Sequence, residues 1–207
     1  MTLNLFIGSI GACSLAPHIA LEEAGADYMV TRLDFTKSEQ KSLEYLKINP
    51  KARVPALVTD KGVITENPAI LLYIAQTNPI AGLAPLDDPF ALGQIQAFNS
   101  FLCSTVHPAH AHRMRGSRWS DDPAVVEALK VKVPQNMTDC FSLIENDYFK
   151  GPWVMGQDFS IADIYLYTIA TWLESDGVDV SHFPKVIAHR GRMEQRPAVE
   201  KVRATYA

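Results

Sequence analysis

The amino-acid sequence predicts a small α/β domain of order βαβαββα followed by an all-helical domain. Three observations carry this. The strand-like alternation lies before Thr65. A proline- and glycine-punctuated stretch, Asn78 to Asp88, then interrupts the pattern. Beyond it, apolar residues recur with helical rather than strand period.

Leu3, Leu5 and Ile7 alternate with Asn4 and Phe6, which predicts a first strand. Gly8 and Gly11 allow a tight crossing into a helix over Leu15 to Ala24, closed by Gly25. Pro17 fits only the first turn of that helix, where its missing N–H is not needed. Tyr28 to Leu33 reads as a second strand, parallel to the first if the helix is the crossover. Asp34 to Gln40 is loop-like, and Leu43, Leu46 and Ile48 mark a short helix ended by Asn49-Pro50. A third strand covers Val54 to Val58, Asp60-Lys61-Gly62 turns the chain, and Val63 to Thr65 returns it. Asn67 as N-cap and Pro68 as first helical residue open the next helix, whose buried side is Ala69, Ile70, Leu72, Tyr73 and Ile74.

The boundaries that follow are 1–77 for the α/β domain, 78–88 for a linker and 89–207 for the helical domain. In the last, helices are expected from Pro89 to about His112 with a kink at Pro108, from Pro123 to Phe149, from Ser160, and from Phe183 through Met193. Ser160 and Asp163 have the spacing of a capping box. The helix they open is apolar nearly all round (Ile161, Ile164, Tyr165, Leu166, Ile169), so it belongs at that domain's centre.

Composition narrows the function class. Of 207 residues, 47% are hydrophobic, so a core forms without metals or disulfides. The net charge of −4 argues against a broad nucleic-acid or anionic-membrane surface. Cys13, Cys103 and Cys140 have no framework spacing and fit a reducing compartment. No stretch approaches membrane-spanning length and no leader pattern opens the chain, so a cytoplasmic protein with no membrane or nucleic-acid partner is expected.

Cys13 stands at, or just before, a helix N-terminus, where unpaired N–H groups and the helix dipole favour a thiolate. An unperturbed thiol has a pKa of about 8.5 and is only slightly ionised at neutral pH. The competing reading is a small buried hydrophobe. Cys103, His107 and His110 share a helix face, but Pro108 interrupts it and a fourth ligand is lacking, which argues against zinc. Arg113, Arg115 and Arg118 form a basic segment, either a solvated helix end or a contact for an anionic substrate; the former is favoured. Tyr165, Tyr167, Trp172 and Trp119 read as core or pocket wall.

The βαβαββα unit, Val54-Pro55-Ala56-Leu57, Glu66-Asn67-Pro68-Ala69-Ile70, the linker and Ser160-Ile161-Ala162-Asp163 together resemble a cytosolic glutathione transferase. Gly11-Ala12-Cys13-Ser14-Leu15-Ala16-Pro17-His18 is similar to the bacterial beta class, and Arg192 to Val199 resembles the family's C-terminal stretch. The resemblance spans essentially the whole chain. It implies a thioredoxin-like glutathione-binding domain, a helical domain carrying a hydrophobic second-substrate site, a cis Pro55 and a homodimer; on the residue spacing above, no metal is expected.

It also implies roles. Val54, before Pro55, would hold the cysteinyl amide of glutathione by backbone pairing. Glu66 would accept from the γ-glutamyl ammonium, and the helix start at Asn67 would receive its carboxylate. Lys37 would pair with the glycyl carboxylate. Cys13 would lie beside the glutathione sulfur, with Ser9 and His107 as further catalytic candidates. Three departures stand out: Asn67 where the family usually has Ser, Ile10 where many members have Pro, and Pro108 where the beta class commonly has Lys. The expected activity is addition of the glutathione thiolate to hydrophobic electrophiles, with thiol–disulfide exchange through Cys13. The alternatives are a non-catalytic binding protein on the same fold and a glutathione-dependent isomerase or dehalogenase.

Overall fold

The computed structural model describes residues 2–9 and 11–206; Ile10 lies outside the described residues. Contacts divide the chain into two compact units, one formed by residues up to Gln94 together with those from Met193 onward, the other by Ile95–Arg192.

The first unit holds a four-stranded sheet of order β2-β1-β3-β4. Its strands are β1 (Leu3–Ile7), β2 (Tyr28–Arg32), β3 (Ala56–Thr59) and β4 (Gly62–Thr65). β1 and β2 run parallel with Leu5 opposite Val30, so α1 (Leu15–Glu23) is the crossover that the sequence predicts. β3 is antiparallel to both neighbours, with Leu57 opposite Leu5 and Ile64. The third strand starts at Ala56 rather than Val54, because Pro55 has no N–H for the ladder; the Val54–Pro55 bond is cis. The loop after β2 is folded into two 3₁₀ turns, Phe35–Lys37 and Glu39–Lys41, and leads into α2 (Leu43–Ile48).

α3 (Asn67–Thr77) starts one residue earlier than expected: Glu66 is its N-cap and Asn67 its first residue. The Ile70 N–H donates to the Glu66 carbonyl at 3.0 Å. Its buried residues are Asn67, Ile70, Leu71, Ile74 and Ala75, so Ala69, Leu72 and Tyr73 lie off that face. A helix not foreseen in the sequence, α10 (Pro197–Ala204), packs against α1. Arg196 holds Glu23 with two bonds of 2.5 and 2.8 Å, and Arg32 donates to the Thr205 carbonyl at 3.0 Å. By packing, therefore, the tail of the expected helical domain joins the first unit.

α4 (Pro89–Phe101) leads into the second unit, which contains α5 (His107–Arg115), α6 (Pro123–Val131), α7 (Val133–Leu143) and α8 (Ile161–Ala170) and ends in α9 (Pro184–Glu194). The kink expected at Pro108 is a π turn over Leu102–Val106, where the His107 N–H reaches back to the Leu102 carbonyl. The single helix expected over Pro123 to Phe149 is corrected to two helices and a π turn (Ile144–Tyr148). Pro134 explains the first break: it lacks an N–H and its ring crowds the carbonyl four residues back. Every residue of α8 is buried, and the Ser160–Asp163 capping box is formed.

Candidate active site

The turn from β1 to α1 is built for close approach. A Cβ on Gly8 would come within 3.0 Å of the Phe35 ring, and Gly11 has φ +84°, a conformation that favours glycine. Ser14 Oγ accepts from the Gly8 N–H at 3.2 Å, and the Ala12 N–H donates to the Ser9 carbonyl at 3.0 Å. Cys13 thus sits two residues before the first residue of α1, half-buried, on a braced turn.

Cys13 is held at both of its ends. Its thiol donates to the Val54 carbonyl with Sγ 3.5 Å from that oxygen, and its own carbonyl accepts from Asn67 Nδ2 at 3.0 Å. Val54 and Asn67 are the residues expected to flank a bound tripeptide, so one cysteine bridges the cis-proline segment and the start of α3.

Each flank has its own support. The carbonyl of Arg53 accepts from the Tyr45 hydroxyl and from Asn49 Nδ2, both at 2.6 Å. Burial pushes the Tyr45 phenol up to about 12, so it remains a donor at neutral pH. Its ring packs on Phe6 at 5.4 Å, which ties the segment before Pro55 to β1. On the other flank Glu66 has φ +74° and ψ 127°, costing about 1–3 kcal/mol for a residue with a side chain. Its carboxylate is exposed and ion-paired with Lys51, which also donates to Thr65 Oγ1 at 2.7 Å. Backbone strain on an exposed carboxylate beside a helix start points to ligand binding.

Tyr45, Asn49 and Lys51 were missed in the sequence because their partners depend on the shape of the 49–53 turn, not on spacing. Asn49 before Pro50 carries a faint signal, since Asx side chains commonly bond backbone nearby.

The remaining expected residues are placed as follows. Ser9 is exposed at the start of the turn. Lys37 is exposed and pairs with Asp34 at 3.3 Å. Asp34 accepts from the Thr36 hydroxyl at 2.6 Å and from the Thr36 N–H at 2.9 Å, which holds its carboxyl down at about 2. His107 belongs to the second unit, where its ring lies 5.0 Å from Trp172 and 6.3 Å from His110.

The basic segment there is not simply solvated. The fully buried carboxylate of Asp176 takes His110 Nδ1 at 2.8 Å and Arg113 Nε at 3.1 Å, while His110 stacks on Trp172 at 4.1 Å. Arg115 and Arg118 remain exposed. Among the described residues no group of three or more His, Cys, Asp or Glu side chains is arranged to hold a metal ion.

Comparison with known proteins gives the family. Residues 1–76 match the family model of the glutathione S-transferase N-terminal domain, and residues 103–197 match that of the C-terminal domain. The chain is 31% identical to glutathione S-transferase GstA of Escherichia coli O157:H7 over 92% of each chain. It is similar to the crystal structure of a Sulfitobacter glutathione transferase homologue with bound glutathione, at TM-score 0.94 and 42% identity over 99% of this chain and 98% of that one. A beta-class glutathione S-transferase of Sphingomonas chungbukensis matches at TM-score 0.86 and 35% identity, over 99% and 98% of the two chains.

Proposed function

Because the chain belongs to the glutathione S-transferase family, we propose that Cys13 is its reactive thiol and that bound glutathione lies along the Val54, Glu66 and Asn67 backbone. The activity is glutathione transfer to an electrophile. The observation that carries the assignment of Cys13 is its double attachment, thiol to the Val54 carbonyl and carbonyl to Asn67.

On this reading the cysteinyl amide of glutathione pairs with the backbone at Val54. The γ-glutamyl ammonium meets the Glu66 carboxylate, whose strained backbone sets it at the start of α3. The γ-glutamyl carboxylate is received by the backbone N–H groups of that helix start, the glycyl carboxylate by Lys37, and Lys51 steadies Glu66. The glutathione sulfur then lies beside Cys13. Ser9 supplies a hydroxyl that favours the glutathione thiolate. The hydrophobic electrophile is taken by the helical unit, Ile95–Arg192, where His107 lies against Trp172.

Two reactions follow. In conjugation the glutathione thiolate forms a bond to the electrophilic carbon. In exchange the Cys13 thiolate attacks one sulfur of oxidised glutathione; a new disulfide forms, the old one breaks, and one glutathione leaves as thiolate and takes up a proton. No further oxidant is required. The three cysteines lack the spacing of a disulfide framework, which supports a cytoplasmic setting, and the family supports a homodimer. No helix among the described residues is long and apolar enough to cross a membrane.

Intact mass after incubation with oxidised glutathione tests the reading. One reducible glutathione adduct is expected, mapped to Cys13 and absent from Cys13→Ala. That variant should lose exchange yet retain conjugation of a generic aromatic electrophile. An adduct confined to Cys103 or Cys140, or undiminished exchange in Cys13→Ala, defeats the assignment.

A further inference from the structure

Asn67 is placed unlike a residue that grips a ligand. Its side chain is only 4% exposed, and Nδ2 donates to the carbonyl of Cys13 across 54 residues of sequence. Its Oδ1 is buried without a hydrogen-bond partner. The same Cys13 carbonyl accepts from the Ala16 N–H at 3.3 Å, so that peptide oxygen is fixed from α1 and from α3 together. The thiol form is held by the Val54 carbonyl as well; that bond is given up when the thiol ionises, and the two bonds to the peptide oxygen then keep the cysteine in place.

We propose that Asn67 is a positioning residue for Cys13. Its carboxamide ties the cysteine's peptide to the first turn of α3 and presents the sulfur in line with a disulfide bound along that helix start. It does not itself hold glutathione; the γ-glutamyl end is left to the backbone of α3 and to Glu66. The inference rests on the reading of Cys13 and glutathione given above. Alignment of this kind speeds attack on a bound partner, because reacting atoms must meet at fixed distance and angle. It matters little for a small reagent that approaches from solution and chooses its own angle.

Three measurements on Asn67→Ala separate this from the alternatives: the dissociation constant of S-methylglutathione, the saturated rate at which oxidised glutathione forms the Cys13 adduct, and the rate with 2-hydroxyethyl disulfide. Positioning requires the saturated rate to fall about tenfold, while S-methylglutathione affinity and the 2-hydroxyethyl disulfide rate each stay within about twofold of the wild type. Asn67→Ser, which carries the family's usual side chain and is too short to span the same gap, should behave alike and serves if the alanine variant folds poorly. Weakened S-methylglutathione binding with an unchanged saturated rate overturns the proposal by making Asn67 a ligand group. Equal slowing with both disulfides overturns it by making the effect general. No change in any of the three overturns it outright. A wild-type protein that binds S-methylglutathione but forms no adduct at Cys13 defeats the brace and leaves glutathione binding standing. One that fails to bind S-methylglutathione defeats the glutathione reading first, and the brace with it.

Discussion

His18 illustrates how one side chain carries a pH dependence. It is buried in α1, its Nδ1 lies 3.2 Å from the Tyr206 hydroxyl, and burial lowers its pKa from 6.5 to about 4, with Arg32 adding to the shift and Glu22 opposing it. Tyr206 is itself pushed up to about 12 by burial, so the phenol donates and the neutral imidazole accepts. The unfolded chain protonates His18 near 6.5, whereas the folded chain keeps it neutral down to about 4. Between those values the unfolded state binds the extra proton. The contribution is therefore complete above about pH 6.5 and disappears as the pH falls to about 4, up to about 3 kcal/mol in all. Urea unfolding at pH 7.5 and at pH 5 should show about 2 kcal/mol of this loss in the wild type and a smaller one in His18→Gln; equal losses would remove His18 as the cause. Legibility differs among residues at this scale. Cys13 could be singled out because two glycines and a helix start announce special backbone, and backbone signals are local; Val54 and Glu66 were reached only through the family resemblance. The bonds of Tyr45 and Asn49 to the Arg53 carbonyl, and the ion pair of Arg113 with Asp176, are decided by how elements pack.

The start of α8 shows what an element demands of its cap. Asp163 is fully buried and accepts from the Ser160 N–H at 2.9 Å, from the Val154 N–H at 2.8 Å and from Ser160 Oγ at 3.2 Å. His189 Nε2 lies 3.1 Å from its Oδ1. Ser160 Oγ in turn accepts from the Ala162 N–H at 3.2 Å. Removing the serine hydroxyl costs about 1 kcal/mol, the usual value for a cap. Removing the carboxylate strands several buried donors at once, so Asp163→Ala should cost about 3–5 kcal/mol. Urea midpoints for Ser160→Ala and Asp163→Ala should therefore differ severalfold in effect, and equal shifts would contradict the network. This cap was legible because Ser-x-x-Asp before an apolar run is a local pattern. The break between α6 and α7 was not, because Pro134 lies inside a sequence with continuous helical periodicity, and only its clash with the preceding turn divides it. α10 escaped notice for a related reason: eight residues with two buried valines, Val199 and Val202, carry too little periodic signal.

At the scale of the molecule the informative feature is that the chain's end completes its beginning. Residues from Met193 onward pack with the sheet-bearing unit, although the whole helical unit intervenes in sequence. Val199, Val202 and Tyr206 are buried there, and burying each contributes about 1.5–3 kcal/mol. Arg196 adds its paired bonds to Glu23, Lys201 reaches Glu22 at 2.5 Å, and the Tyr206 hydroxyl partners His18. Together the three side chains amount to about 5 kcal/mol or more, comparable with the entire stability of a modest domain, about 5–15 kcal/mol. The α/β unit is thus incomplete without the tail, even though none of its strands comes from there. A chain ending at Gln195 should lose S-methylglutathione binding, because the turn that carries Cys13 leads directly into α1, the helix on which α10 packs. Its first unit should also unfold at markedly lower urea. Binding at the wild-type dissociation constant and an unchanged midpoint would show instead that the sheet and its own helices suffice, and that the tail's burial is surplus to the site.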